Sequence, residues 1–378
     1  MLTGFDNIKG IKLRKINQGH SSNPRDVVFS VPLPPEEVAA LELYRRPLVP
    51  LDPETPLKNL QMVPFHINGP GVIGYSFCWS ERLFYLHAHH EEDNLAMYKD
   101  FDTLTEDPFW IHLPIAPDEY INSVWFRRAA YTSDLALWIT TNKGNQTIVG
   151  PTEAHPILQN SNLAELFPGA AFEWVRLIGP LNEGQSVQMY FNLSERGIKV
   201  FATLQPNIAI TPGPGPPEWL RSAYSTDHGS WFSESAWLIN VVEIIPFQKK
   251  ASGSVKRVQG EKPYFDAWGS HSPIIGLVLV YSNGARVCLG QVRLDCATPP
   301  IDMRHVTTFY MAFRQARRNP YLSEIRLSAP TTPDDMATAW RWLKIDLSQR
   351  TVLEWHLYKG FHSGCHVRYG DQTTFEDE

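Results

Sequence analysis

Cysteine is scarce. The four in 378 residues, Cys78, Cys288, Cys296 and Cys365, are too few and too scattered for a disulfide framework, and a chain this long can bury a core without one. A reduced, cytoplasmic setting is therefore expected. Long apolar runs are also missing: the longest, Ile274 to Tyr281, has the length of one strand, so no membrane span is expected. The N-terminus carries basic residues but lacks the apolar stretch of a secretory signal. Charge of one sign is absent too. With 34 Lys and Arg against 40 Asp and Glu, the net charge of −6 offers no electrostatic footprint for nucleic acid, which is not expected as a partner. The sequence holds no Gly-x-x-x-x-Gly-Lys-Ser/Thr, no Gly-x-Gly-x-x-Gly opening a helix, no Gly-x-Ser-x-Gly and no His-Glu-x-x-His. Nucleotide, dinucleotide, serine-hydrolase and zincin chemistry are thereby disfavoured.

Aromatic residues, by contrast, make up 12% of the chain, accompanied by 30 prolines and 24 glycines, a composition that favours strands and turns over helices. Hydrophobic residues at 43% and charged residues at 20% mark a folded globular protein, and the length fits two domains. Residues 1–60 read as an N-terminal arm with one short helix over Pro35–Leu43, where Pro and two acids open the segment. From residue 61 onward, short alternating or β-branched runs follow one another between Gly, Pro, Asn and Asp, as in an all-β domain. VIGYSFCW, RLFYLHAH, FWIHLPI and INSVWFR are such runs. The run Leu135–Thr141 meets Asn142-Lys143-Gly144-Asn145 and resumes at Gln146–Val149, which predicts a hairpin; Ile275–Tyr281, Ser282-Asn283-Gly284 and Ala285–Leu289 predict a second. The stiff run Thr211-Pro212-Gly213-Pro214-Gly215-Pro216-Pro217 cannot sit inside a sheet and divides the chain into β domains at 61–210 and 211–378.

The two hairpins share one layout, TTNKGNQTIVGP at 140–151 and VYSNGARVCLGQ at 280–291. This layout resembles the repeated hairpin of jacalin-like lectins, over about 30 residues in each half. The resemblance implies an all-β fold of antiparallel sheets, a β-prism or a related β-sandwich or barrel, in two β domains with few short helices. Those lectins hold sugar with a Gly-x-x-x-Asp loop and backbone amides; no convincing copy of that loop is found, so sugar binding is not carried over. In overall length, β-rich layout and tryptophan-heavy composition the chain also resembles the filamentous-fungal secondary-metabolism proteins that include hetero-Diels–Alderases of tropolone sesquiterpene pathways.

The densest group of titratable side chains is Tyr85-Leu86-His87-Ala88-His89-His90-Glu91-Glu92. On a strand, period two places Tyr85, His87 and His89 on one face. Such histidines can be partly exposed structural residues, can move protons or hold substrate, or can share a metal with Glu91 or Glu92 completing the set. A second group is Asp302, Arg304 and His305 with Tyr310 and Arg314, where an arginine fork suits an oxygen gaining negative charge; its bland counterpart is a surface ion pair between Asp302 and Arg304. Aromatic residues Trp219, Tyr224, Trp231, Phe232 and Trp237, with Tyr264, Phe265 and Trp268 beyond them, are either core or the walls of an apolar pocket. The catalytic candidates are thus His87, His89, Arg304 and Tyr310, and the substrate-binding candidates Tyr85, Trp231, Trp237, Tyr264 and Trp268, with no metal and no cofactor assigned. The hetero-Diels–Alderase resemblance implies a cofactor-free cyclase that joins a quinone-methide tropolone to an apolar terpene olefin. The alternative is a lectin-like carbohydrate-binding protein without catalysis. A small apolar or aromatic ligand is the expected partner, and a homodimer the expected assembly.

Overall fold

Short β-branched and aromatic runs bounded by turn formers leave little room for helices, and the described elements are 25 strands, one α-helix and one 3-10 turn. The computed structural model describes residues 62–79, 83–104, 108–128, 136–150, 173–193, 197–198, 200–203, 230–250, 272–316, 319–331, 341–348, 350–358 and 362–369, with short strand pieces at 3–4, 14–15, 42–45, 212–213 and 372–373. The chain divides into two compact units, residues 1–217 and 218–378, with the boundary at the end of the proline–glycine run. All pairings are antiparallel, and among the described residues no sheet closes into a barrel. The fold is all-β.

In the first unit β1 (Thr3–Gly4) pairs with β2 (Arg14–Lys15). There follow β3 (Glu42–Arg45), β4 (Met62–Ile67), β5 (Val72–Trp79), β6 (Leu83–His90), helix α1 (Met97–Leu104) and β7 (Phe109–Pro114). Next come β8 (Ile121–Arg128), β9 (Ala136–Thr141), β10 (Gln146–Val149), β11 (Glu173–Ile178), β12 (Val187–Asn192), β13 (Val200–Thr203) and β14 (Pro212–Gly213). They form sheets of order β3-β13-β12-β4, β6-β5-β7 and β10-β9-β8-β11-β14. The central strand β5 is buried on both faces from Gly74 onward, which explains its near-continuous apolar sequence. The helix expected over Pro35–Leu43 falls outside the described residues except at Glu42 and Leu43, which are extended in β3. The helix that does form opens after Asn94, whose Oδ1 accepts the Ala96 N–H at 3.0 Å, and it buries Met97, Tyr98 and Phe101 on one face.

The second unit contains β15 (Ser230–Trp237), β16 (Val241–Gln248), β17 (Ile274–Tyr281), β18 (Arg286–Gly290), β19 (Ile301–Asp302) and β20 (Thr308–Ala316). It ends with β21 (Asn319–Arg326), β22 (Arg341–Asp346), β23 (Thr351–Tyr358), β24 (His362–Tyr369) and β25 (Gln372–Thr373). Its three sheets, β15-β23-β24-β25, β18-β17-β16-β19 and β21-β20-β22, contribute to a core that includes Leu277, Leu279, Phe309, Met311, Leu353 and Trp355, and Phe247, Ile275, Val278 and Val292 form a second, smaller cluster. Each fully buried aliphatic or Phe side chain there contributes about 1.5–3 kcal/mol. Trp355 packs against Gly290, where a Cβ would lie 2.5 Å from the indole and where φ is +72°. Only glycine satisfies both conditions.

The repeated hairpin is present in both units, and the repetition extends beyond it. Strand order β10-β9-β8-β11 in the first unit matches β18-β17-β16-β19 in the second. In one turn Thr141 N–H donates to Asn145 O at 2.9 Å, Gly144 N–H to Thr141 O at 3.1 Å and Asn142 N–H to Tyr120 O at 3.0 Å. In the other, Tyr281 donates to Ala285 at 2.9 Å, Gly284 to Tyr281 at 2.8 Å and Ser282 to Asn240 at 2.9 Å. Gly144 and Gly284 both sit at φ +81°, the left-handed geometry this turn requires. In each unit, moreover, one of the sheets outside these repeats joins an earlier strand to a later one, β4 to β12 and β15 to β23.

Candidate functional site

Register alone assembles most of the site. Ser76 on β5 lies opposite His87 on β6 and His112 on β7, Gly74 lies opposite His89, and Cys78 opposite Tyr85. Directly opposed residues share a face, so Tyr85, His87, His89, Ser76 and His112 project to the same side of the sheet. Period two therefore acts as expected for Tyr85, His87 and His89. A side chain at position 74 would obstruct this face, because a Cβ there would come within 2.8 Å of the His112 ring.

After β6 the chain reverses at Glu91–Glu92, with Asp93 N–H donating to His90 O at 3.1 Å, and the reversal brings the Asp93 carboxyl back over the sheet. Asp93 Oδ2 lies 2.5 Å from His87 Nε2 and 3.4 Å from His89 Nδ1. Its side chain is 4% exposed, that of His89 is fully buried and that of His87 is 17% exposed, so His87 is the member that meets solvent. The carboxyl partner is thus Asp93. Glu91 and Glu92, the acids proposed from sequence to complete a metal set, point into solvent.

Behind the histidines Ser76 is a hub. Its Oγ lies 2.8 Å from His89 Nε2, 3.0 Å from His112 Nδ1 and 3.0 Å from Tyr98 OH. A hydroxyl has one hydrogen and two lone pairs, so these three neighbours use its full capacity. Helix α1 supplies Tyr98 and Phe101, which meet the Trp110 indole edge-on. Tyr85 packs against Phe101 at 4.7 Å and Phe191 at 5.7 Å between ring centroids, closing an aromatic shell around the polar centre. Burial drives the His89 pKa down to about 2, reinforced by nearby His112 and His87 against the pull of Asp93, so its ring stays neutral. Burial, then Asp93, raises the Tyr85 phenol to about 12.

The remaining candidates lie elsewhere. Arg304 is exposed on the second unit and forks onto Asp302, NH2 to Oδ2 at 2.6 Å, an arrangement that holds the Asp302 carboxyl far below its usual range. Tyr310 is half-buried on β20. Both lie in the second unit, whereas the histidine cluster lies in the first. Trp237 is 49% exposed at the end of β15, and Trp231 lies on the same strand. Tyr264 and Trp268 fall outside the described residues, as do Trp219, Tyr224 and Phe265. The buried tryptophans are spread over separate places: Trp79 and Trp110 on opposite faces of the β6-β5-β7 sheet, Trp125, Trp138 and Trp174 in a cluster of their own, and Trp355 in the core of the second unit. Sequence reasoning did not assign Ser76, Asp93, Tyr98 or His112 to the site. Only Asp93 left a local signal, as the acid four residues after His89 and just past the turn-forming pair of glutamates.

No protein-family model matches the sequence, and neither does any curated protein.

Proposed function

We propose that the chain is an enzyme of the cyclase type, acting on a small apolar or aromatic molecule at the imidazole–carboxyl centre of its first unit. The observation that carries this reading is the 2.5 Å contact between His87 and Asp93 at the open edge of a buried hydrogen-bonded network within an aromatic shell. A proton can move along the His87–Asp93 pair, while the neutral His89 and the Ser76 hub hold the pair in place. For the hetero-Diels–Alder class, a hydroxyl on the tropolone precursor leaves as water after taking a proton from the pair. The pair regains that proton from the ring hydroxyl, generating a quinone methide. Addition of an olefin then forms two single bonds at the expense of π bonds, with no change of oxidation state, so orientation in an apolar setting is the main requirement. Among the described residues no helix is long and apolar enough to cross a membrane.

The test is product formation from a tropolone-type alcohol and a humulene-type olefin, with the full chain and with the His87→Ala and Asp93→Asn variants. Faster product formation than in buffer, reduced at least tenfold in His87→Ala, supports the reading. Parity of the wild-type chain with buffer refutes it. A second reading, carbohydrate binding without turnover, is favoured by the hairpin module repeated in both units and by the three antiparallel sheets that contribute to the larger core of the second. Saturable binding on a glycan array without any conversion of substrate would favour it.

A further inference from the structure

We propose that His87, His89 and Asp93 form a site for one divalent transition-metal ion of the zinc and cobalt class. The inference uses the same side chains as the proton-transfer reading but does not depend on its chemistry: with an ion bound, polarising a substrate oxygen passes from the acid–base pair to the metal.

Three observations carry it. Each of the three residues offers one ligand atom, and all these atoms lie within 4.8 Å of one another. An ion about 2.0–2.1 Å from its ligands in a tetrahedron holds the ligand atoms about 3.3–3.4 Å apart. Asp93 Oδ2 and His89 Nδ1 are already 3.4 Å apart. His87 Nε2, at 2.5 Å from the same oxygen, has to withdraw by just under about 1 Å, and its ring is the one with solvent beside it.

The second observation is His89 Nδ1 itself. The residue is fully buried, yet this nitrogen makes no hydrogen bond. If Nε2 carries the proton and donates to Ser76, the Nδ1 lone pair confronts a carboxyl oxygen. If Nδ1 carries it, the N–H has no acceptor in line. A cation between the ring and Asp93 resolves both arrangements, since burying an unsatisfied polar atom is unfavourable.

Third, the outer shell has the form metal-bound histidines require. Ser76 holds the far nitrogen of His89 at 2.8 Å and is itself held by His112 and Tyr98 at 3.0 Å, which fixes the ring plane and directs Nδ1 inward. Two imidazoles and one carboxyl favour first-row transition ions over calcium or magnesium, which prefer all-oxygen sets, and leave a coordination position for a substrate oxygen or water.

The test uses the full chain, stripped with chelator and titrated with Co²⁺ in the absence of substrate, with Zn²⁺ as competitor. The expected result is a visible d–d absorption that saturates at one ion per chain, is displaced by Zn²⁺, and is missing from Asp93→Asn and His87→Ala. Ser76→Ala is expected to weaken binding about 10- to 100-fold while keeping the spectrum. Should Asp93→Asn fail the circular-dichroism check for folding, His87→Ala, altered at a partly exposed position, carries the comparison. A wild-type chain without the band, or a folded variant with unchanged spectrum and stoichiometry, overturns the proposal. An ion bound without cyclase turnover leaves the site standing and removes the catalytic reading. Turnover by a chain that binds no ion does the reverse.

Discussion

The Glu234 carboxyl makes the stability of the second unit depend on pH. It lies on β15 against the end of β18, with Oε2 accepting the Gly290 N–H at 2.7 Å. Burial raises its pKa from 4.5 to about 8, with the Gly290 hydrogen bond pulling the other way. The folded state therefore keeps a proton that the unfolded chain has lost between about pH 4.5 and pH 8, and stability falls as pH rises through that window. The slope for one such proton is at most about 1.4 kcal/mol per pH unit. Because the residue is only half-buried, solvent screening reduces the total to about 2–4 kcal/mol. Glu234→Gln keeps the shape and removes the titration. Urea denaturation of both proteins from acid to alkaline pH provides the assay, with the difference between them cancelling the other titrating groups. Burial, then Glu234, holds the neighbouring Cys288 thiol well above its ordinary value. Below about pH 4 the two proteins are expected to match; above pH 8 Glu234→Gln is expected to be the more stable by the amount given. Parallel curves across the whole range would refute the reasoning.

Two further outcomes follow from contacts outside the candidate site. Gly290→Ala places a Cβ 2.5 Å from the Trp355 indole at φ +72°, so a loss of about 2–4 kcal/mol is expected in denaturant melts, together with a shift in tryptophan emission. Glu119, 8% exposed, accepts hydrogen bonds from Thr141 Oγ1 and Asn145 Nδ2, both at 2.6 Å, and from Ala116 N at 3.2 Å. Glu119→Ala strands those donors and is expected to cost about 1–3 kcal/mol, with faster amide exchange in the 141–145 turn as the local signature.

How much of this the sequence announced depends on how local the cause is. VIGYSFCW at 72–79, FWIHLP at 109–114 and both Gly-containing hairpin turns coincide with strands and turns to within a residue or two, since side-chain period and positive-φ glycines act over a few residues. Period two likewise places Tyr85, His87 and His89 on one face. The rest of the centre depends on partners distant along the chain. Ser76, Tyr98 and His112 meet His89 only after three strands and a helix pack together, and a serine within an apolar run gives no warning of being a hub. Asp93 replaces Glu91 and Glu92 because the turn after β6 aims position 93 inward and positions 91 and 92 outward, a choice made by backbone geometry rather than by residue type. Arg304 fits the bland reading of its segment, an exposed pair with Asp302 two residues before it.

The convergence of these segments on one centre is tested most directly by histidine-ring correlation NMR of the wild-type chain, Asp93→Asn and Ser76→Ala at a single pH. Asp93→Asn is expected to move the ring signals of both His87 and His89, and Ser76→Ala those of His89 and His112, while the exposed His305 ring of the second unit stays in place in both. Ring signals of His87 and His89 unmoved by Asp93→Asn would contradict the site.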